Sequence, residues 1–407
     1  MKLHAFSLCV FACTACAFDG VDDFLDRLDT ALSISAFQDN LRARLSGTLD
    51  LELYHFEQPA PGLINSSVDT LFNPRLTLFL DAQIGSQIYF FAQSRVDRGF
   101  DPSDQGAQLR LDEYALRATP WKDGRLTVQI GKFATVVGNW VPRHLSWENP
   151  FINAPLIYEN VTPIQDKSAP AAPPYFVYAP YYYEKYVFNP VIWGPSYASG
   201  ISVSGQLGKF DYAVEMKNAS LSSRPESWWI TENGFEHPTF SGRAGFRPNE
   251  AWNFGVSASE GPYFRREAES TLPAGRDIDD YREFVLGQDA SFAWRHLQVW
   301  AEFYEARFQV PRVGDADTFA YYVEVKYKFT PQFFGALRWN QQLFSTISDG
   351  YGHDAPWSED LGRIDVAATY RFTPHVQLKL QYDFQHATSS GPGDDNHLLA
   401  AQLTIRF

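Results

Sequence analysis

Val376-Gln377-Leu378-Lys379-Leu380-Gln381-Tyr382-Asp383-Phe384-Gln385 decides the fold, together with the segment that follows it. After a polar loop, Ala387 to Asn396, comes Leu399-Ala400-Ala401-Gln402-Leu403-Thr404-Ile405-Arg406-Phe407, and the sequence stops. In both segments apolar residues alternate with polar ones. A period of two places one set on each face of a strand. The two segments therefore read as a pair of strands with one greasy face and one polar face. The greasy face needs either a protein interior, as in a soluble all-β domain, or lipid.

Working backward from this pair, the same alternation recurs to make roughly sixteen segments from Leu41 onward. The cleanest sets Phe319, Tyr321, Val323, Val325, Tyr327 and Phe329 against Tyr322, Glu324, Lys326 and Lys328. Near Asp112-Glu113 the alternation slips, which a β-bulge would explain. Connections alternate short and long. Gly85-Ser86-Gln87, Leu207-Gly208-Lys209, Thr330-Pro331-Gln332 and Thr373-Pro374-His375 are short. Glu57–Asn73, Val137–Tyr197, Ser259–Tyr281, Gln309–Asp317 and Gln342–Asp360 are long. Short turns at one end and long loops at the other are the pattern of a transmembrane barrel. A sandwich has no reason to sort its loops this way. The expected fold is all-β: a transmembrane antiparallel β-barrel of about sixteen strands, with the long third loop folded into the lumen.

Met1 to Ala17 reads as a secretory signal, with Lys2, a short apolar run and the small-x-small site Ala15-Cys16-Ala17. All three cysteines lie within it, so a protein cleaved there needs no disulfide. Residues 18–39 carry Val21, Phe24, Leu25, Leu28, Ala31 and Leu32 at helical spacing, which predicts a short amphipathic periplasmic helix over Asp19–Phe37. The barrel takes residues 40–407. No stretch approaches the apolar length of a membrane helix. A formal net charge of -14 gives no basic surface for nucleic acid.

The third long connection is the candidate functional loop. It is too rich in rings for disorder: Trp140, Trp147, Phe151, Tyr158, Tyr181, Tyr182, Tyr183 and Trp193 are among them. Its prolines forbid ladder pairing. The economical place to bury its rings is inward, against the wall; a lid or a subunit contact is the alternative.

Signal, strand number, loop rhythm, long third loop and terminal Phe407 together resemble Gram-negative outer-membrane porins of the sixteen-stranded trimeric type. Arg110-Leu111-Asp112-Glu113-Tyr114 with Val128-Gln129-Ile130-Gly131-Lys132-Phe133 also looks like the phosphate-selective porin group, in a short cue. The Pro-Glu-Phe-Gly-Gly motif of many general porins is missing, so details of their constriction do not carry over.

The resemblance implies passive diffusion of small hydrophilic solutes, or selective passage of sugars or anions such as phosphate. It implies a homotrimer in outer-membrane lipid and lipopolysaccharide, and a terminal Phe407 read by the barrel-assembly machinery. It further implies that acids on the third loop face a basic wall. Alternation points Arg42, Arg44, Arg75, Arg95, Arg125, Arg338 and Arg363 inward as wall candidates. Glu148, Glu159, Asp166 and Glu184, with Tyr181, Tyr182 and Tyr183, are the constriction-loop candidates. Pairing of those arginines with neighbours such as Asp97, Asp365 or Asp383 is the competing expectation.

Enzyme motifs are lacking. There is no G-x-S-x-G, no Walker loop and no clustered metal-ligand spacing, so the expectation is a channel without catalytic residues, metal or cofactor. A barrel enzyme, or a structural or adhesion barrel, is the less favoured reading.

Overall fold

The computed structural model describes residues 20–98, 107–181, 184–225, 235–388 and 395–407. The leader expected at 1–17 lies outside them.

Sixteen antiparallel strands close into a barrel. In chain order they are Leu41–Phe56, Thr70–Ile84, Ile88–Asp97, Gln108–Ala118 and Thr127–Phe133, then Ala198–Leu207, Phe210–Lys217, Thr239–Phe246, Trp252–Pro262 and Arg282–Trp294. Leu297–Val310, Gly314–Lys328, Phe333–Phe344, Leu361–Arg371, Val376–Ala387 and Asp395–Arg406 complete the wall. Each strand pairs with the next. The sixteenth returns to the first in the register Leu51↔Leu403 and Leu49↔Ile405. Closure joins the first strand to the last across most of the wall, which a bilayer demands because lipid cannot satisfy a bare ladder.

The barrel is inside-out relative to a soluble domain. Outward positions such as Leu80, Ile130, Phe210, Val256, Trp339 and Leu380 are exposed, whereas inward Asp50, Glu52, Glu302, Arg338 and Lys379 are buried. The alternation of the sequence thus maps onto lipid outside and a packed polar lumen inside. Among the described residues no helix is long and apolar enough to cross a membrane.

The slip anticipated at Asp112-Glu113 is present. Gln93 pairs with Glu113 and Ser94 with Leu111, so Asp112 is the extra residue. Two expectations need correction. The connection expected as the long loop Gln309–Asp317 is a tight turn at residues 311–313. Asp315 and Asp317 look like loop residues, yet they continue the strand beyond the apolar band, held to Arg307 at 3.2 and 2.6 Å. The amino-terminal helix spans residues 20–31 and does not reach Phe37. Ser33–Ala36 is a strand that folds back on Leu41–Arg44. The sixteenth strand meets the first only from Gly47 onward, so this hairpin covers an edge that would otherwise be bare. The helix lies at the short-turn mouth, where Asp29 pairs with Arg44 at 2.7 Å and Asp26 with His375 at 3.0 Å.

Candidate functional site: a loop docked across the lumen

The third outer loop leaves the wall at Phe133 and rejoins it at Ala198. Between them it crosses the lumen and docks on the eleventh to fifteenth strands. The first point of contact is set by Gly138, at φ +78°. A Cβ there would lie 2.2 Å from the Tyr304 hydroxyl and 2.6 Å from that of Tyr158, so only glycine lets the backbone reach the wall. Immediately beyond it, the backbone N–H groups of Asn139 and Trp140 both donate to Glu302 Oε1, the second at 2.8 Å. Tyr158 donates its hydroxyl to Glu302 Oε2 at 2.7 Å. The oxygens of a buried wall carboxylate are thereby hydrogen-bonded by loop donors.

Two further anchors follow. Arg143 pairs with Glu324 and lies 4.4 Å above the Trp300 ring. Burial lowers and Glu324 raises the proton affinity of the Arg143 guanidinium, and the net result lies above its ordinary range. Lys379 gathers the next bend, donating to the carbonyls of Ser146, Asn149 and Phe151 at 3.0, 2.8 and 3.2 Å. Arg338 stacks over Phe151 at 4.3 Å, donates to Asn153 Oδ1 at 2.7 Å and pairs with Asp365 at 2.6 Å. Arg363 pairs with Asp365 at 2.8 Å and with Glu159 of the loop. Asn153 donates to Asp383 at 2.7 Å. Removing one member of such a buried ionic set leaves its partner uncompensated, at a cost of about 3–5 kcal/mol.

The loop's other face borders what remains open. A cavity of about 160 Å³ lies between it and the wall, lined by Tyr54, Arg75 and Arg95 on the wall side and by Trp140, His144 and Phe151 on the loop side. His144 Nδ1 lies 2.6 Å from the Val141 carbonyl, an acceptor, so Nδ1 carries the proton. Nε2 then accepts from the Tyr197 hydroxyl at 2.7 Å. Burial, reinforced by nearby Arg95, pushes His144 down to about 4.

The wall arginines divide by position. Arg75 and Arg95 line the cavity, already paired with Asp50 and Glu52, and with Asp112. Arg338 lies wholly beneath the docked loop, while Arg363 also borders the cavity. Arg42 and Arg44 sit at the short-turn mouth beside Asp39 and Asp29, and Arg125 is exposed in a turn beside Asp123. Among the loop candidates, Glu159 joins Arg363 at the docking face. Glu148 is exposed to the lumen, in electrostatic reach of Lys326, Arg371 and Arg406. Asp166 pairs with Arg265 of another outer loop at 2.7 Å. Tyr181 is buried against Phe188 and bonded to Ser358, also in the outer layer. Glu184 is exposed, and Tyr182 and Tyr183 lie outside the described residues.

Expectation and structure differ most in polarity. Acids on the loop were expected to face bases on the wall. Along the docking face the wall supplies both signs: Glu302, Glu324 and Asp383 accept from the loop, while Lys379, Arg338 and Arg363 donate to it, mostly to backbone carbonyls and not to loop acids. Only Glu159 and Glu148 follow the expected sense. Gly138, Glu302, Glu324 and Lys379 were not singled out as docking residues. Strand parity does point Glu302 and Glu324 inward, but nothing in the sequence says that a glycine 164 positions earlier, 302 − 138, touches one of them.

No family model matches the chain, and no curated protein matches it in sequence. Solved structures do match in shape. OmpT, an outer membrane protein of Vibrio cholerae, aligns with a TM-score of 0.56 at 10% identity over 92% of this chain and 99% of its own. OmpF of Salmonella typhi, solved with daunomycin, aligns at 0.56 and 11% over 92% of this chain and 100% of its own. An anion-selective porin from Comamonas acidovorans gives 0.55 and 10% over 90% and 100%. At such identities the likeness is one of fold: the sixteen-stranded porin-type barrel.

Proposed function

We propose that the chain is an outer-membrane porin through which small hydrophilic solutes diffuse passively. The observation that carries this reading is the asymmetric lumen. The docked loop covers the inner face of the eleventh to fifteenth strands, and a cavity remains between Tyr54, Arg75, Arg95 and the loop. A merely structural or adhesive barrel has no need to preserve such a space. The shape likeness to porins supports the same reading. The site comprises donors, acceptors and rings that bind and orient, and the reading assigns it no catalytic residue, metal or cofactor.

The proposal includes the setting implied by the sequence: export by the 1–17 leader, residence in lipid and lipopolysaccharide, and assembly through the last strand. The Phe407 N–H and carbonyl pair with Gly47 at 3.0 and 2.9 Å, so the terminal residue itself closes the wall. It also includes a homotrimer. Purified protein added to a planar bilayer should give discrete ion-conducting steps. A preparation with heat-resistant barrel structure but no steps sinks the proposal.

A further inference from the structure

We infer that the short-turn side of the docked loop holds a binding site for phosphate, free or as an ester, built from Lys326, Lys328, Arg371 and Arg406. This inference deepens the channel reading above and rests on it. Strand parity points all four residues into the lumen, and all four lie at the short-turn ends of their strands. Lys326 and Lys328 close the twelfth strand, Arg371 the fourteenth and Arg406 the sixteenth. Two buried rings gather them. The centre of the Trp147 ring, on the loop, lies 4.9 Å from the Arg371 guanidinium and 4.0 Å from that of Arg406. The Phe334 ring, on the wall, lies 4.2 Å from the Lys326 ammonium and 5.6 Å from Arg371. Lys328 is the ladder partner of Phe334.

What sets this cluster apart is its lack of counter-charge. The arginines bordering the cavity are each paired: Arg75 with Asp50 and Glu52, Arg95 with Asp112, Arg363 with Glu159 and Asp365. Among the described residues, no carboxylate lies within 4.0 Å of any of the four cations at the short-turn end. Glu148, exposed on the loop, is the acid that reaches Lys326, Arg371 and Arg406 electrostatically. Glu324 also acts on Lys326 but is already paired with Arg143. At the same mouth, Asp26 and Asp29 of the amino-terminal helix are held by His375 and Arg44. Nor are the four exhausted as donors. Arg406 donates Nε to the Pro374 carbonyl at 2.8 Å. Arg371 donates Nε to Gln377 at 3.3 Å and Nη2 to the Trp147 carbonyl at 3.2 Å. Both terminal nitrogens of Arg406, Nη1 of Arg371 and the two ammonium groups have no protein acceptor among the described residues, and none of these nitrogens is buried.

Cations without counter-charge inside a narrow lumen raise the local potential and draw anions. Contact with a ring holds a guanidinium in place while leaving its N–H edge for an acceptor. A fixed edge of that kind suits an oxyanion, which can take two parallel N–H bonds from it. The number of charges then chooses among oxyanions. A monocarboxylate brings one charge and two oxygens. A phosphate ester carries a charge of about −1.5 to −2 near neutral pH and three acceptor oxygens. That suffices to engage an arginine edge and an ammonium together, and one loop carboxylate against four cations leaves the charge of such a group uncontested.

The test is chloride current through the full-length protein in a planar bilayer at neutral pH, with inorganic phosphate, glucose 6-phosphate, gluconate or glucose added. At least one of the two phosphates is expected to halve the current at a concentration about tenfold or more below that of gluconate, with glucose inert. Whichever phosphate acts at the lower concentration tells whether the free ion or the ester is the better ligand. Arg406→Gln should raise the half-blocking concentration of that phosphate about tenfold or more, the range for a hydrogen bond to a charged group. Lys328→Gln, at a more exposed position, should raise it about threefold. Lys122→Gln removes a cation from an exposed turn at the same mouth and should leave the block unchanged. Equal block by gluconate and both phosphates, or equal weakening by Lys122→Gln and Arg406→Gln, overturns the inference while leaving the channel intact. Absence of any conductance overturns both. If Arg406→Gln fails to form a heat-resistant barrel, Lys328→Gln and the four-solute comparison on the unaltered protein still decide.

Discussion

At the scale of single residues, Glu302 and Gly138 act as one device. The glycine permits the approach, and the carboxylate receives the two backbone N–H groups that follow it. Glu302→Ala strands those two donors, at about 1–3 kcal/mol for each orphaned group, while the Tyr158 hydroxyl keeps its bond to Tyr304. Gly138→Val adds bulk where a single carbon already collides, and overpacking costs about 1–3 kcal/mol. Both changes should lower thermal stability in detergent and raise single-channel conductance, because the loop loses its grip on the far wall. Since both break one contact, the double variant should lose less than the sum of the two. Additive losses would show that the two residues act separately. His144 supplies a pH signature. Its proton affinity in the folded barrel is depressed to about 4 from an ordinary 6.5. Between those values the unfolded chain binds a proton that the folded one refuses, so stability is fullest above 6.5, declines as pH falls toward 4, and has no further His144 contribution below that. Melting temperature followed from pH 7 to 4 should fall less steeply in His144→Asn than in the parent. Parallel slopes would remove the assignment.

Among the elements, strands were readable and the loop was not. Wall segments repeat every two residues because lipid on one side and polar lumen on the other impose that period without reference to any partner. Even the bulge at Asp112 left its mark as a broken alternation. Strand ends were less visible. Asp315 and Asp317 carry strand hydrogen bonds out of the apolar band, where the greasy face stops and the pattern goes silent. The docking of the third loop depends on contacts between residues far apart in the chain, such as Asn153 with Asp383 and Lys379 with Asn149. Local pattern carries no trace of these, so the direction of folding could be inferred from ring content while the polarity of the contact could not. The amino-terminal hairpin shows a related gap. Ser33–Ala36 has too few residues for periodicity to identify, and its role appears only once the last strand is seen to stop at Gly47. Removing residues 20–36 from the exported protein should therefore leave a conducting barrel with a lower melting temperature. The bared edge at Leu41–Arg44 should also make it more prone to associate through that mouth, which light scattering in detergent would detect. Unchanged stability would mean that the hairpin is ornamental.

The whole molecule carries an asymmetry that no single strand reveals. On the outward face, strands seven to fifteen are heavily aromatic, with Phe210, Phe246, Trp252, Phe254, Trp294 and Tyr327 ringing the short-turn end and Phe240, Phe284, Phe303 and Phe319 toward the other. Such rings favour the headgroup boundary on both sides of a bilayer. The outward face of the first five strands is mostly aliphatic instead: Leu53, Leu80, Ile84, Ile88, Val96, Leu109, Leu116 and Ile130 are exposed there with Phe72, while Phe90 and Tyr114 share that face half-buried. A surface that meets lipid along its full height gains from a girdle at each boundary, whereas one that meets another copy of itself gains from close-packed aliphatic side chains. The proposed trimer should therefore join through strands one to five. Leu80→Lys places a charge in that face, at about 2–4 kcal/mol if the residue met lipid at mid-depth and with loss of packing if it met protein. Expected is a shift from trimer to monomer in native mass measurements, with barrel structure and single-channel steps retained in the monomer. The matched change Val256→Lys, on the aromatic side, should lower stability and leave the trimer assembled. If both variants dissociate alike, or if the parent is already a monomer in mild detergent, the aliphatic face is a lipid surface and the asymmetry needs another cause.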